Sequence, residues 1–170
     1  MPNQKTQEEF IKHINDCTGI IYKICNLYTS SATDKEDLFQ EIVIQLWKAY
    51  PKFRGDSKFS TWLYRVALNT AISDLRKQKR TVDLSFPEFI PMDLADKNAE
   101  SDKEEKLKQL YAAIALLNEI DRAVVMLYLD DTSYDEMESI LGINQGTLRV
   151  KMNRIKEKLR QLTKIEVYGT

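Results

Sequence analysis

FRGDSKFSTWLYRVALNTAISDLRKQKR, residues 53–80, is the stretch from which the rest of the chain is read. A polar turn, Arg54-Gly55-Asp56-Ser57, leads into a long segment free of Pro and Gly, which predicts a helix capped by Asp56 or Ser57. Phe59, Trp62, Leu63, Val66 and Thr70 recur at three and four and predict its buried face. Lys58, Arg65, Asn69, Arg76 and Arg80 are spaced seven, four, seven and four, so they share one stripe. Cations that hold phosphates, an amide that reads a base edge and flanking aromatics (Tyr64, Trp62) for an unpaired base to stack on suit a nucleic-acid strand. The residue types alone leave a second reading open, an ordinary solvated helix face.

Upstream, Phe10, Ile14, Cys17, Ile21, Ile24 and Tyr28 predict one amphipathic helix over 8–28, broken by Thr29-Ser30-Ser31. Thr33 with Glu36 reads as a capping box for a second helix that stops before Pro51. That helix carries more apolar residues than one core face needs, beside a polar ridge of Asp37, Gln40 and Glu41. The ridge by itself reads as a solvated face with acids near a helix N-terminus. His13 and Cys17 lie at i, i+4, but no second ligand pair accompanies them, so no metal and no cofactor are expected. Cys17 and Cys25, about 12 Å apart along a helix, are expected to be free thiols.

The 170 residues have a net charge of −1, which at first argues against nucleic acid. Its distribution reverses that: residues 1–80 are net +4, residues 81–105 net −6, and residues 145–164 hold seven bases against Glu157. The composition is that of a folded helical protein, with no apolar run of about 20 residues to cross a bilayer and no signal-peptide core, so a cytoplasmic location is expected. Residues 81–100, with Pro87 and Pro91 and no periodicity, read as a flexible acidic and apolar linker between domains 1–80 and 101–170.

Downstream, Ser101 with Glu104 predicts a capped helix whose core face is Leu107, Leu110, Tyr111, Ile114 and Leu117. A second helix follows from about Asn118 to Leu129, and Ser133 with Glu136 opens a third that ends at Gly142, a residue suited to a left-handed C-cap. Asn144 then caps a last helix in which Leu148, Met152, Ile155, Leu159 and Leu162 form the inward seam. Helix, short Gly-containing turn and basic helix describe a helix-turn-helix. Its second helix meets base edges with its first turns, which puts forward Thr147, Arg149, Val150, Lys151, Asn153 and Arg154, with Lys156, Lys158 and Arg160 left for phosphate or solvent. The alternative, weakened by the preceding turn, is a basic last helix that only complements its own dipole.

FRGDSKFSTWLYRVALNTAISDLRKQKR closely resembles region two of the extracytoplasmic-function (ECF) sigma factors, promoter-specificity subunits of bacterial RNA polymerase. LLNEIDRAVVMLYLDDTSYDEMESILGINQGTLRVKMNRIKEKLRQL is similar to their region four. The resemblance implies an all-α protein with a three-helix region-two domain, a flexible linker and a four-helix region-four domain. It implies that DLFQE docks on core RNA polymerase through Asp37, Leu38, Gln40 and Glu41. It further implies that Lys58, Trp62, Arg65, Asn69, Arg76 and Arg80 meet the −10 promoter element, and that the last helix meets the −35 element. An anti-sigma protein is admitted as a further partner, and no catalysis or membrane insertion is implied. Two departures bear on the −35 contact: Glu138 stands where a small residue is usual at the helix crossing, and Val150 offers a base only a methyl contact. A conventional DNA-binding regulator with a sensory first domain, or a module that binds protein alone, would share parts of this pattern. The acidic ridge and the basic stripe of the first domain fit polymerase and DNA, not a ligand pocket, and gel filtration with core polymerase separates the three readings.

Overall fold

The computed structural model describes residues 4–81 and 102–168, with side-chain surroundings for 6–79 and 103–163. Every regular element among them is helical, in two compact units, Met1–Ser85 and Phe86–Thr170. The linker expected over 81–100 lies, apart from Thr81, outside the described residues.

Among the described residues the first unit has four α-helices where three were expected: α1 (Gln4–Asp16), α2 (Thr18–Tyr28), α3 (Ala32–Ala49) and α4 (Phe59–Thr81). The single helix expected over 8–28 breaks at Cys17, whose N–H turns back to the Ile14 carbonyl at 3.0 Å. The Thr18 hydroxyl also donates to that carbonyl at 2.9 Å, so side chain and backbone compete for one acceptor. The cap of α3 is Ser31 and not Thr33, because the Ser31 hydroxyl accepts the Asp34 N–H at 3.1 Å. A single 3-10 turn, Tyr50–Lys52, carries Pro51 and ends the helix. Ile21, Ile24, Ile42, Leu46, Leu63 and Leu68 fill the core where α2, α3 and α4 pack together.

On α4 the buried side differs from the expected one. Leu63, Ala67, Leu68, Ala71 and Ile72 are buried, whereas Phe59, Trp62, Val66 and Thr70 are half-buried on its flank. The seam is rotated by roughly a third of a turn, at about 100° per residue. Small Ala67 and Ala71 let helix axes approach closely, and the bulky rings are displaced sideways. The helix opens with the Trp62 N–H on the Lys58 carbonyl, so the cap position falls just past Ser57.

The second unit has α5 (Asp102–Ala115), α6 (Glu119–Leu129), α7 (Tyr134–Leu141) and α8 (Gln145–Tyr168), with α8 packed on the other three. Two cap oxygens sit at the expected places, Ser133 accepting from Glu136 N–H at 3.2 Å and Asn144 from Thr147 N–H at 2.8 Å, and Asn118, where the second helix was expected to begin, accepts from Asp121 N–H at 2.8 Å. Gly142 closes α7 at φ 70°, with its N–H on the Glu138 carbonyl at 2.8 Å. Ser101 lies outside the described residues. On α8, Leu148, Met152, Ile155 and Leu159 are buried as the spacing predicts. The core face expected for α5 holds only in part: Ile114 and Leu117 are buried and Leu110 half-buried, while Leu107 and Tyr111 are 51% and 54% exposed.

Candidate nucleic-acid interface

The stripe on α4 points away from its buried seam. Lys58, Arg65, Asn69 and Arg76 are all exposed; the side chain of Arg80 lies outside the described residues. Beside it lies a knot of rings. Trp62 sits 5.1 Å from Phe53 and 5.4 Å from Phe59, and Tyr50 meets Phe10 at 5.1 Å between ring centroids. His13 stacks on Phe59 at 4.5 Å. Rings that pack on each other in offset and edge-on geometry hold the Arg54–Ser57 turn between the 3-10 turn and α4. Gly55 at φ 80° allows that turn. Half-buried Trp62 therefore sits between the core and the surface that carries the stripe. Tyr64, read as an exposed aromatic, is half-buried.

On α3, Asp37 and Gln40 are exposed, and half-buried Glu41 accepts the Gln45 side-chain N–H at 2.8 Å. Leu38 corrects the expected docking set: only 3% exposed, it anchors α3 in the core with Ile42 and Leu46 and offers no surface to a partner. The acidic field is wider than the ridge read from sequence. Burial is the main cause that raises the Asp74 carboxyl on α4 above its usual range. Glu41, Asp34 and Asp37 push the same way, and Lys77 opposes them. Asp34 could have been found from its i, i+3, i+7 spacing with Asp37 and Glu41. Asp74 joins them only through the packing of α4 on α3.

On α8, Thr147, Arg149, Val150, Asn153 and Arg154 are exposed, with Val150 at 50%. Lys151 departs from this set. It is half-buried, and its Nζ lies 3.9 Å from Asp121 Oδ1 at the start of α6, so it ties α8 inward. Glu138 is half-buried and needs no buried counter-charge, and Lys151 is committed to Asp121. Two tyrosines hold two further cations: the Arg149 guanidinium carbon lies 4.9 Å from the Tyr134 ring centre, and Lys156 Nζ lies 4.6 Å from that of Tyr128. Half-buried Arg122 braces the base of the unit. Its guanidinium donates to the Ala115 carbonyl at 2.7 Å and the Leu117 carbonyl at 2.9 Å, which satisfies acceptors left open at the end of α5. None of these internal partners has a sequence-local signature.

Cys25 is buried, and burial raises its thiol to about 11, far from thiolate reactivity at neutral pH. Among the described residues no group of three potential ligands could hold a metal ion.

Residues 14–81 match the family Sigma-70 region 2, and residues 107–159 match Sigma-70, region 4. The chain belongs to the ECF sigma factors. It is 34% identical over 137 residues to the ECF RNA polymerase sigma-E factor of Escherichia coli (strain K12), covering 74% of this chain and 72% of that one. It is 27% identical over 175 residues to the ECF RNA polymerase sigma factor SigW of Bacillus subtilis (strain 168), covering 91% and 89%. In fold it is similar to the sigma factor RpoE of Bartonella quintana, solved with the anti-sigma factor NepR, at a TM-score of 0.72 and 21% identity over 93% of this chain and 98% of that one. CnrH, solved with the cytosolic domain of CnrY, gives 0.65 at 19% identity over 92% and 88%. This sigma factor thus binds core RNA polymerase and directs promoter recognition and transcription initiation. No described helix is long and apolar enough to cross a membrane.

Proposed function

We propose that the two units divide the work of initiation between them. In the first, Asp37, Gln40 and Glu41, widened by Asp34 and Asp74, form the docking face for a coiled coil of the polymerase clamp, with Leu38 beneath it as an anchor. Lys58, Trp62, Arg65, Asn69, Arg76 and Arg80 take the −10 strand: the cations hold phosphates, Asn69 meets the edge of an unstacked base, and Trp62 offers it a ring to stack on. Unstacking costs a few kcal/mol and stacking on an aromatic returns about 1–3 kcal/mol, so opening is nearly balanced and needs the polymerase to tip it. In the second unit, Arg149, Val150, Asn153 and Arg154, with Thr147 at the helix start, read the −35 duplex. Lys151 serves α8 as an internal tie.

The observation that carries this reading is the position of the α4 stripe, exposed on the side of the helix opposite its buried seam and bordered by half-buried rings. The protein acts in the cytoplasm, where its polymerase and template are. The solved sigma factor RpoE, bound to the anti-sigma factor NepR, supports an anti-sigma protein as a further partner of this chain as well.

Charge reversal tests the docking face. Asp37→Arg with Glu41→Arg abolishes co-elution with core RNA polymerase and promoter-directed transcription, while far-ultraviolet circular dichroism stays unchanged. Co-elution of the folded double variant at the wild-type level would assign docking to another surface.

A further inference from the structure

We propose that Tyr134 is a positioning residue for promoter reading: its ring holds the Arg149 guanidinium ready for a base edge of the −35 element. The proposal rests on the assignment of Arg149 to the reading face of α8.

Arg149 is exposed on the second turn of α8, and among the described residues its side chain meets the Tyr134 ring, 4.9 Å from the guanidinium carbon to the ring centre, and no carboxylate. Tyr134 is itself held. It is half-buried and is the first residue of α7, directly after Ser133, whose hydroxyl accepts the Glu136 N–H at 3.2 Å. A tyrosine with two side-chain torsions on a capped helix end is a stiff platform.

The kind of partner matters. Two residues further on, the Lys151 ammonium lies 3.9 Å from an Asp121 carboxylate oxygen, so its partner is an acid. An aromatic ring attracts a guanidinium through its quadrupole and has no carboxylate oxygens to take up the N–H fork. Arg149 thus stays charged, with donors able to meet guanine O6 and N7 in the major groove. An arginine without such a platform has long-chain rotamer freedom to lose when it binds a base, and holding it beforehand lowers that cost. The turn between α7 and α8 fixes the spacing of ring and cation, since Gly142 at φ 70° and the Asn144 cap set where α8 starts relative to Tyr134.

The test uses holoenzyme, assembled from the full chain and core polymerase, and a promoter set carrying every single substitution of the −35 element. Five proteins are compared: wild type, Tyr134→Phe, Tyr134→Leu, Arg149→Ala and the Tyr134→Leu, Arg149→Ala double variant. Tyr134→Phe keeps the ring and should keep wild-type discrimination. Tyr134→Leu should lower discrimination about two- to fivefold at the one base pair that Arg149→Ala relaxes, and leave the other positions alone. In the Arg149→Ala background Tyr134→Leu should change nothing more. Discrimination lost equally in Tyr134→Phe would overturn the ring as the agent, and that variant stays informative if the leucine variant folds poorly. An equal loss from Tyr134→Leu with and without Arg149 would show that Tyr134 acts by a contact of its own. If Arg149→Ala relaxes one position and Tyr134→Leu relaxes none, the positioning role fails while the reading face stands. If Arg149→Ala relaxes no position, the reading assignment fails and this proposal with it.

Discussion

The helices α4 and α8 are both long, basic and amphipathic, yet their sequences disclose their packing very differently. On α8 the large apolar residues are the seam: Leu148, Met152, Ile155 and Leu159 are buried among three neighbouring helices. On α4 the seam joins Leu63, Leu68 and Ile72 with the small Ala67 and Ala71, and the large residues Phe59 and Trp62 stand aside in an aromatic knot with Tyr50 and Phe53. A periodicity weighted by size finds the first seam and displaces the second toward the rings, sharing only Leu63 with it. The difference also separates two designs for binding DNA. On α8 the reading residues stand on a helix whose opposite face fills a core. On α4 the cations run beside rings only partly committed to the core, which suits a strand whose bases must stack.

The comparison can be strained from either side. The largest effect is expected in the second unit. Arg122→Met removes charged hydrogen bonds to two carbonyls at the end of α5 and should cost about 2–3 kcal/mol. Hydrogen exchange should show the loss in α5 and α6 and leave α2–α4 protected as before. A smaller cost is expected from Ala67→Leu, about 1–3 kcal/mol from overpacking, with the lost protection now confined to α2–α4. A leucine accepted there without cost would mean that α4 does not pack through its small residues, and the contrast with α8 would fall.

The smallest effect concerns the acidic field. The Asp74 carboxyl is raised in the folded state, so folding favours its protonated form. Its contribution is most favourable below the ordinary carboxylate range and is lost as pH rises through the raised value. Asp74→Asn should therefore stabilise the first unit at neutral pH, by about 0.5 kcal/mol or less for a group that solvent still screens. The gain should shrink as the solution is acidified. Thermal melts of both proteins at neutral and acid pH measure it.

What was legible depended on how local the cause is. Asn118, Ser133 and Asn144 announce their caps because the acceptor and the N–H it serves are three residues apart. Gly142 announces its turn because the left-handed conformation is costly for other residues. The break at Cys17 was hidden by an apolar spacing that continues across it unchanged. Leu38 sits within a polar motif, and only the three-dimensional packing shows that it points inward. Lys151 looked like its neighbours until Asp121, thirty residues earlier, was found beside it. Leu107 and Tyr111 keep a core-like spacing on α5 yet remain exposed. The cationic surfaces were readable from charge order, whereas the tyrosines and the carboxylate that hold single cations of α8 come from other helices.

The claim that α4 and α8 serve separate promoter elements is tested most directly by one crossed binding measurement on holoenzyme. Wild type, Arg65→Ala with Arg76→Ala, and Arg154→Ala are each titrated with a single-stranded −10 oligonucleotide and with a −35 duplex. The α4 variant should bind the strand more weakly, with a reduced salt slope, and bind the −35 duplex as wild type does. Arg154→Ala should leave the strand untouched and lose about 1–3 kcal/mol of discrimination at one −35 base pair. Equal weakening of both DNAs by both variants would contradict the division.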